Sequence, residues 1–587
     1  MLQILTNHIG YDSGDTKTAV FQGTKDSKLE KFEVRCYKDN SVVFSGIAQE
    51  SGEVDRWNTG YYFTLRFDEV KAKGKYYITL KANDKEYQSF PFDIAENLLE
   101  MKTLTAATYY FKAQRPTGEF EAADKNLPFR GGFREGTQDV RGGWHDATGD
   151  YSVHLSHLSH TTYFNPQQAA FSAYSFFKFN DLLEESEYPY YTMLKRRMLD
   201  EGMYGADFLM RMRTPSGTFF RSKARVDAFK PVNTSRSIAF EYRNPKSRKG
   251  GGVTEGFDEI KEENYETSFR SGAGYAIAAL AYAARTTFPS DYKKEEYIAA
   301  AIAAYDYLAK NNSRYTNDGA DNLVDAYCCL DALVEIYKTT REYDYLRRAR
   351  EMADKVIANY VAVDNTMGYL SVNGTDRPYF HAADEGMPIV NLLNYCNIEI
   401  DKELKEKALD IAKKLMKHQI SITNAVNNPF GYARIFCQGG DGVKKTQFFY
   451  PHDVETSPWW QGENARIASL ATAARYLSYH TEDKEFISEL NKYADDQINW
   501  ILGLNPYDSC MMDGAGRNIN EYFFEVRRDF IHCPGGIING VTGGLHDENG
   551  IEFISEPNDE IVDNWRWAEQ WIPHATWFMY ALTMKKI

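Results

Sequence analysis

The hydrophobic pattern of this chain changes its period once, near residue 95, and that change restricts the architecture more than any other feature. From Leu5 to about Ile94, segments such as Lys31-Phe-Glu-Val-Arg-Cys-Tyr, Tyr61-Tyr-Phe-Thr-Leu-Arg-Phe and Lys75-Tyr-Tyr-Ile-Thr-Leu alternate or run β-branched and aromatic, with Gly, Asp and Asn between them. Short strands at this spacing predict a small β-sandwich of immunoglobulin type. From Glu96 onward apolar residues recur every three and four positions, and about twelve amphipathic stretches follow. They begin near Glu96, Gln167, Tyr191, Thr267, Lys293, Asp321, Glu342, Ala382, Lys402, Trp460, Lys484 and Ala568. The pattern therefore divides the chain into a β-module, 1–95, and an all-helical unit, 96–587. A chain of 587 residues exceeds one ordinary core, which agrees with that division.

The connections between the helical stretches are uneven. Even-to-odd joints are short, whereas odd-to-even joints include long segments near 114–163, 213–265, 420–458 and 504–566. In an up-and-down arrangement all odd-to-even loops leave by one end. Helices closed into two concentric rings of six would then carry their elaborate loops on a single face, where function concentrates.

The first of those loops holds Arg141-Gly-Gly-Trp-His-Asp-Ala-Thr-Gly-Asp150. Asp146 and Asp150 would repel each other at neutral pH, so a chain that keeps them close has a use for them in holding water, a metal or a sugar. A solvated Asx-rich turn is the bland alternative. Trp144 beside them is a candidate platform for a pyranose ring, whose apolar face stacks on aromatics. The longest loop ends in Trp565-Arg-Trp-Ala-Glu569-Gln-Trp571-Ile-Pro. A glutamate ringed by tryptophans and near other carboxylates would have its pKa raised toward that of a general acid, while a place in the first turn of a helix would lower it. Two aspartates and one distant acid on a common face are the constellation glycoside hydrolysis requires.

With those residues assembled, the sequence resembles glycoside hydrolase family 9, a group related to the endoglucanases, over nearly its whole length. Asn7-His-Ile-Gly-Tyr is similar to the family's opening strand motif, and Gly142 to Asp150 to its GGW-x-DAGD loop. Gly205-Ala-Asp-Phe-Leu-Met-Arg-Met and Leu502-Gly-Leu-Asn-Pro506 match further phrases, and Ala568-Glu569 falls where the family places its acid. The resemblance implies an immunoglobulin-like module propping an (α/α)6 barrel. It makes Asp150 the base that deprotonates water, Asp146 the residue that holds the water and keeps the base ionised, and Glu569 the donor to the leaving oxygen. Members invert the anomeric centre, which needs base and acid roughly 6.5 to 9.5 Å apart.

Two departures bear on the substrate. Thr148 adds a residue between the aspartates and changes their relative direction, and Glu525-Val-Arg-Arg528 occupies the region where many endoglucanases carry a His-His-Arg grip. The N-terminus has no basic segment, sustained apolar stretch or small-residue cleavage site, and the seven cysteines are scattered, so the expectation is a cytoplasmic protein with reduced thiols. A cytoplasmic enzyme meets short imported oligosaccharides, which favours exo attack. Asp139, Asp384, Glu385, Asp453 and Glu455, on the same predicted face, could pair with a protonated amino sugar. Within the family the chain looks more like cytoplasmic exo-β-glucosaminidases than like secreted cellulases, and the endo-β-1,4-glucanase is the alternative.

Among weaker candidates, Trp459 and Trp460 precede a helix on the active face and are expected to line a sugar subsite, with ring packing as the alternative. His145, His154, His157 and His160 crowd the first loop without zinc spacing, and Gly250-Gly-Gly252 lacks the strand and helix of a phosphate loop. No cofactor is required, and neither a structural Ca²⁺ nor a Zn²⁺ is indicated. A net charge of −15 argues against nucleic acid as a partner, and no window reaches the roughly 18 apolar residues of a membrane span. No feature specifies an oligomeric state. The rivals of another class are a non-catalytic sugar-binding protein and an (α/α)6 phosphorylase or uronyl hydrolase; the last two would need a basic cluster that the predicted face lacks.

Overall fold

The computed structural model describes residues 2–157, 165–185, 191–225, 231–240, 262–316, 318–454, 460–525, 527–528 and 532–585. The N-terminal strands form two sheets. One runs in the order Gln3–Leu5, Thr18–Gly23, Tyr61–Arg66, Gln49–Glu53, antiparallel throughout. The other runs Gly10–Asp12, Phe92–Ala95, Gly74–Ala82, Leu29–Cys36, Val42–Ile47, with Lys85–Gln88 hydrogen-bonded to Gly74–Ala82. Phe21, Phe32, Val34, Phe63, Leu65, Ile78 and Ile94 belong to a core that is this module's own. The parallel pairing of Gly10–Asp12 with Phe92–Ala95 needs glycine at its start: Gly10 has φ 128°, and a Cβ there would stand 1.9 Å from the Asp93 carbonyl oxygen.

Among the described residues twelve longer helices follow: α1 Leu98–Gln114, α2 Ala169–Glu184, α3 Thr192–Arg211, α4 Gly274–Ala283, α5 Lys294–Asn311, α6 Leu323–Thr340, α7 Tyr343–Ile357, α8 Met387–Cys396, α9 Lys402–Asn424, α10 Asn464–Ser478, α11 Lys484–Ile501 and α12 Ile572–Thr583. The even-numbered helices close a ring, with α2 on α4, α4 on α6, α6 on α8, α8 on α10, α10 on α12 and α12 back on α2. Each odd-numbered helix packs outside its even-numbered partner. Sequence explains the layering. Every residue of α4, α8, α10 and α12 is buried, as helices flanked on all sides must be, whereas α7 buries only Tyr345, Leu346, Ala349, Ala353 and Val356, a stripe at helical spacing. The fold is thus an immunoglobulin-like β-sandwich followed by an (α/α)6 barrel.

Helix starts differ from the periodicity where proline sets them. Pro388 and Pro573 sit in the first turns of α8 and α12, so these helices begin several residues after Ala382 and Ala568. A single turn of helix, Trp565–Ala568, precedes α12 and leaves Glu569 in extended backbone between the two. Glu569 is therefore outside the helix N-terminus.

The β-module seats against the barrel through Trp57, which packs among Phe430, Phe448, Phe449 and Trp500 with ring centroids 4.7–6.4 Å away. Asn7 Nδ2 donates to Asn499 Oδ1 at 2.8 Å, and His8 Nε2 lies 3.0 Å from Asp508. Near the C-terminus, Lys585 bonds Asp12 and Asp15 of the β-module. Trp57→Ala is expected to cost the whole protein about 3–5 kcal/mol, the range for emptying a buried aromatic site. Chemical denaturation should show one shifted transition, and deletion of residues 1–94 should destabilise the barrel in the same way; an early-melting β-module above an unchanged barrel transition would contradict this.

Candidate active site

The loop after α1 and the loop before α12 meet as a short antiparallel pair. Thr148 N–H donates to the Gln570 carbonyl at 2.9 Å, Ile572 N–H donates to the Asp146 carbonyl at 3.1 Å, and Ala147 faces Trp571. This pairing brings Asp146 and Glu569 together across more than 400 residues of chain. Within the first loop, Asp150 N–H returns to the Ala147 carbonyl at 3.1 Å, closing a tight turn. Gly149 occupies it at φ 91°, a conformation that favours glycine. The inserted Thr148 spends its hydroxyl on Gln570 Oε1 at 2.8 Å. The turn sends the two acids to different environments: Asp146 is buried and Asp150 is exposed.

Asp146 Oδ1 accepts from Trp571 Nε1 at 3.0 Å and from Gln168 Nε2. Burial drives the Asp146 pKa well up, the Asp150 charge adds to this, and the two donors resist it. Asp150 Oδ1 accepts from Ser152 N–H at 2.8 Å. Glu569 retains some surface open to solvent, yet the protein packed around its carboxyl strips most of its hydration. That desolvation, then the charges of Asp146, Asp150 and Asp563, raise its pKa far above the ordinary glutamate value. Burial pushes up the phenols of Tyr522 and Tyr110, and the charge of Glu569 adds to both shifts.

His154 lies on the two-residue strand Val153–His154, whose neighbour Ser222–Arg225 pairs in turn with Arg236–Ala239. Its Nδ1 stands 2.5 Å from Ser222 Oγ, and burial lowers its pKa to about 4, so the ring is neutral near pH 7. One donor atom each from Asp146, Asp150 and His154 lie within 4.8 Å of one another, the only group among the described residues with the spacing to hold a cation. The same convergence suits a water molecule.

Several residues expected at a sugar subsite are placed elsewhere. Trp144 is 0 % exposed, with its Nε1 on Glu201 at 3.0 Å and its ring between Phe111, Phe176 and Tyr204; it is core, and no face is left for a sugar. Asp384 is buried, accepting from Trp577 Nε1 and Gln167 N–H at 2.8 Å each. Glu385 is spent on the buried Arg466 at 3.0 Å, and Asp139 puts both oxygens on Arg141. Trp571 is 4 % exposed and serves Asp146 through its N–H. Trp460 is 7 % exposed, with His452 stacked 3.9 Å from it and the Arg566 guanidinium 4.1 Å above it. Trp565 is the ring of this set that is only half-buried, with Arg566 4.4 Å from its face. Asp453 lies 3.7 Å from Lys445. Trp459, Glu455, His160 and Gly250 to Gly252 lie outside the described residues.

The site also contains groups that motif reading passed over, namely Gln168, Asn539, Tyr522, Asp563 and His574. None stands in a phrase with the two acid segments. The helix-opening Gln167-Gln168 pair is the one signal the sequence offers, as buried amides at a loop-to-helix joint need partners.

Carboxyls in two environments, one exposed and two with pKa raised by burial, suit proton-transfer chemistry. A family model described as "Glycosyl hydrolase family 9" matches residues 101–533, and one described as "Cellulase N-terminal ig-like domain" matches residues 2–85. The chain belongs to glycosyl hydrolase family 9 and is a glycosidase. Solved structures share the fold across both units. A metagenome-derived family 9 endoglucanase is 18% identical, with TM-score 0.67 and 99% of this chain and 98% of that one covered. A family 9 protein of Bacteroides ovatus is 17% identical, with TM-score 0.64 and coverage of 99% and 98%. A thermostable endoglucanase from Alicyclobacillus acidocaldarius is 15% identical, with TM-score 0.61 and coverage of 99% for each chain. The curated proteins contain no match. The family match ends at residue 533, so the assignment of Glu569 rests on the geometry described above.

If Trp144 is core, Trp144→Phe lowers the melting temperature, through its lost hydrogen bond and volume, and leaves KM unchanged. A raised KM with an unchanged melting temperature would return it to the sugar site.

Proposed function

We propose that the enzyme hydrolyses β-1,4 glycosidic bonds of short oligosaccharides with inversion, using Asp150 as base, Asp146 to hold the attacking water and Glu569 as acid. The observation that carries this reading is the meeting of an exposed aspartate, a buried aspartate and Glu569, whose pKa is raised by desolvation and by the neighbouring acids. The exposed Asp150 is free to take a proton from water. Asp146, fixed by Trp571 and Gln168, is suited to orient that water. Glu569 then protonates the leaving oxygen as the glycosidic bond breaks, and water supplies the hydroxyl to the opposite face of the sugar. Two carboxyls and a water balance the reaction, and no cofactor enters it.

Removal of a terminal glucosamine or glucose from an imported oligomer is the specific form favoured. The exposed Asp150 suits a cationic amino sugar, since the nearby Arg566 is engaged by the Trp460 carbonyl and two indole faces. Asp563, half-buried near Glu569, takes the amine-pairing role first expected of Asp139, Asp384 and Glu385. A cytoplasmic location, where seven unpaired cysteines would stay reduced, is part of the same reading. The competing endo-β-1,4-glucanase reading draws on the endoglucanases among the structures of like fold.

Cello- and chitosan-oligomers, with the product anomer followed by NMR, separate these readings. Release of terminal α-glucosamine from chitosan oligomers supports the proposal, mid-chain cleavage of cello-oligomers supports the endoglucanase, and a β-anomer product would end the inverting mechanism. Glu569→Gln and Asp150→Asn are each expected to lower kcat about 10²–10⁴-fold. An acid must carry its proton to act, so activity falls as pH rises through the Glu569 pKa. Because that pKa is raised, the alkaline limb of kcat/KM should lie well above the ordinary glutamate range, and a limb inside that range would remove Glu569 from the role.

A further inference from the structure

The peptide between Tyr151 and Ser152 connects the exposed Asp150 to a buried cation. Ser152 N–H donates to Asp150 Oδ1 at 2.8 Å, and the carbonyl of the same peptide, on Tyr151, accepts from Arg236 Nη1 at 2.5 Å. The peptide is trans and planar, so its carbonyl and its N–H point in opposite directions and cannot turn separately. Fixing the Tyr151 carbonyl therefore fixes the donor that Asp150 meets. The Ser152 carbonyl accepts from Asp146 N–H at 2.8 Å, which ties the same short segment to the second aspartate. Arg236 is held in its turn. Its Nε donates to Asp124 Oδ1 at 2.6 Å and its Nη2 to Asp124 Oδ2 at 3.3 Å, a fork that leaves Nη1 for Tyr151. Lys223 meets the same carboxylate: Nζ donates to Asp124 Oδ2 at 2.5 Å and to the Val140 and Gly142 carbonyls at 2.8 Å each. An ammonium has three N–H groups, and all three are used. The side chains of Asp124, Lys223 and Arg236 are 0 % exposed. Burial opposes the Asp124 charge, yet Lys223 and Arg236 hold its carboxyl below the ordinary aspartate pKa. Desolvation largely offsets the attraction within such a cluster, so stability does not account for it. What it supplies is direction: Lys223 fixes the loop ahead of Asp146, and Arg236 fixes it just after Asp150.

We propose that Arg236, aimed by Asp124 and Lys223, is a positioning residue for the base, orienting the Asp150 carboxylate through the Tyr151–Ser152 peptide. The inference rests on the reading of Asp150 as that base. Asp150 is exposed, so packing does not confine its carboxylate, and the direction in which it meets water depends on the bond it accepts from Ser152. A guanidinium on the carbonyl also polarises the peptide, which makes the Ser152 N–H a stronger donor to a carboxylate. Asp146 is fixed independently by Trp571 and Gln168. Loss of the Arg236 bond should therefore reach the base and leave the water-holding acid in place.

The test is a double-mutant cycle on the oligomer found to be hydrolysed. Arg236→Lys keeps a cation against Asp124 but, with a shorter side chain and no planar fork, gives up the Tyr151 carbonyl. Its kcat should fall by about 10²-fold with KM little changed, the scale of a misplaced reacting group. The deciding readout is the same substitution in the Asp150→Asn background. A residue that acts through Asp150 has nothing left to position there, so Arg236→Lys should add less than about twofold to the loss from Asp150→Asn. Asp124→Asn leaves Arg236 in place and removes the carboxylate that aims it. It should give a smaller fall in kcat with the same dependence on Asp150, and it decides the matter if Arg236→Lys does not fold. Equal losses with and without the Asp150 carboxylate, or a lowered melting temperature with kcat per folded molecule unchanged, would make the cluster merely structural and overturn the inference. If Asp150→Asn alone keeps its turnover, the assignment of the base fails instead, and the two failures are distinguishable in one set of variants.

Discussion

The functional geometry of this enzyme depends on three backbone residues at each end of the barrel sequence pairing with one another. Asp146 to Thr148 and Gln570 to Ile572 bond as a fragment of antiparallel sheet, and every other relation in the site follows from that register. It puts Trp571 Nε1 on Asp146, leaves Asp150 beyond the turn, and sets Glu569 one residue past the last paired position. In an antiparallel pair successive side chains alternate between faces, so a slip of one residue would turn Asp146 away from Trp571 and Gln168. The ring closure of α12 on α2 is what brings the two loops to the same place.

The architecture was legible because its signals are periodic. A strand-like pattern ending near Ile94 and helical recurrence after it needed no tertiary information, and the long odd-to-even connections located one functional face. The three carboxyls were legible because the two segments containing them are rich in glycine and tryptophan, a costly composition to keep without use. Trp144 and Trp571 were misread for a physical reason: an indole beside an acid in sequence is equally suited to lining a sugar site or to holding the acid by its N–H. Trp571 does the second, and Trp144 turns its N–H away to Glu201. Asp384 and Glu385 were misread likewise, since a buried carboxylate satisfied by a distant arginine or amide looks in sequence like an available one. Arg466 lies 81 residues from Glu385, and only the ring of helices makes them neighbours.

Two opposing effects set the electrostatics of the cleft. Burial and the neighbouring acids raise the pKa of Asp146 and of Glu569 alike. N–H donors oppose the shift at Asp146, where Trp571 and Gln168 bond the carboxyl and fix its direction without reversing the shift. Asp150, outside this enclosure, is exposed.

Thr148 shows how a single residue can enter such a site without dismantling it. An added residue in a turn normally rotates everything after it. Here the extra backbone unit is taken up by closure of the turn from Asp150 N–H to the Ala147 carbonyl, with Gly149 at positive φ supplying the reversal. The threonine hydroxyl is then fastened to Gln570, on the strand that already holds the loop. The insertion therefore adds a bond to the pairing that positions Asp146, while Asp150, beyond the turn, stays exposed. One added residue thus fastens the loop to the strand before α12 and leaves the second acid on the solvent side of the turn.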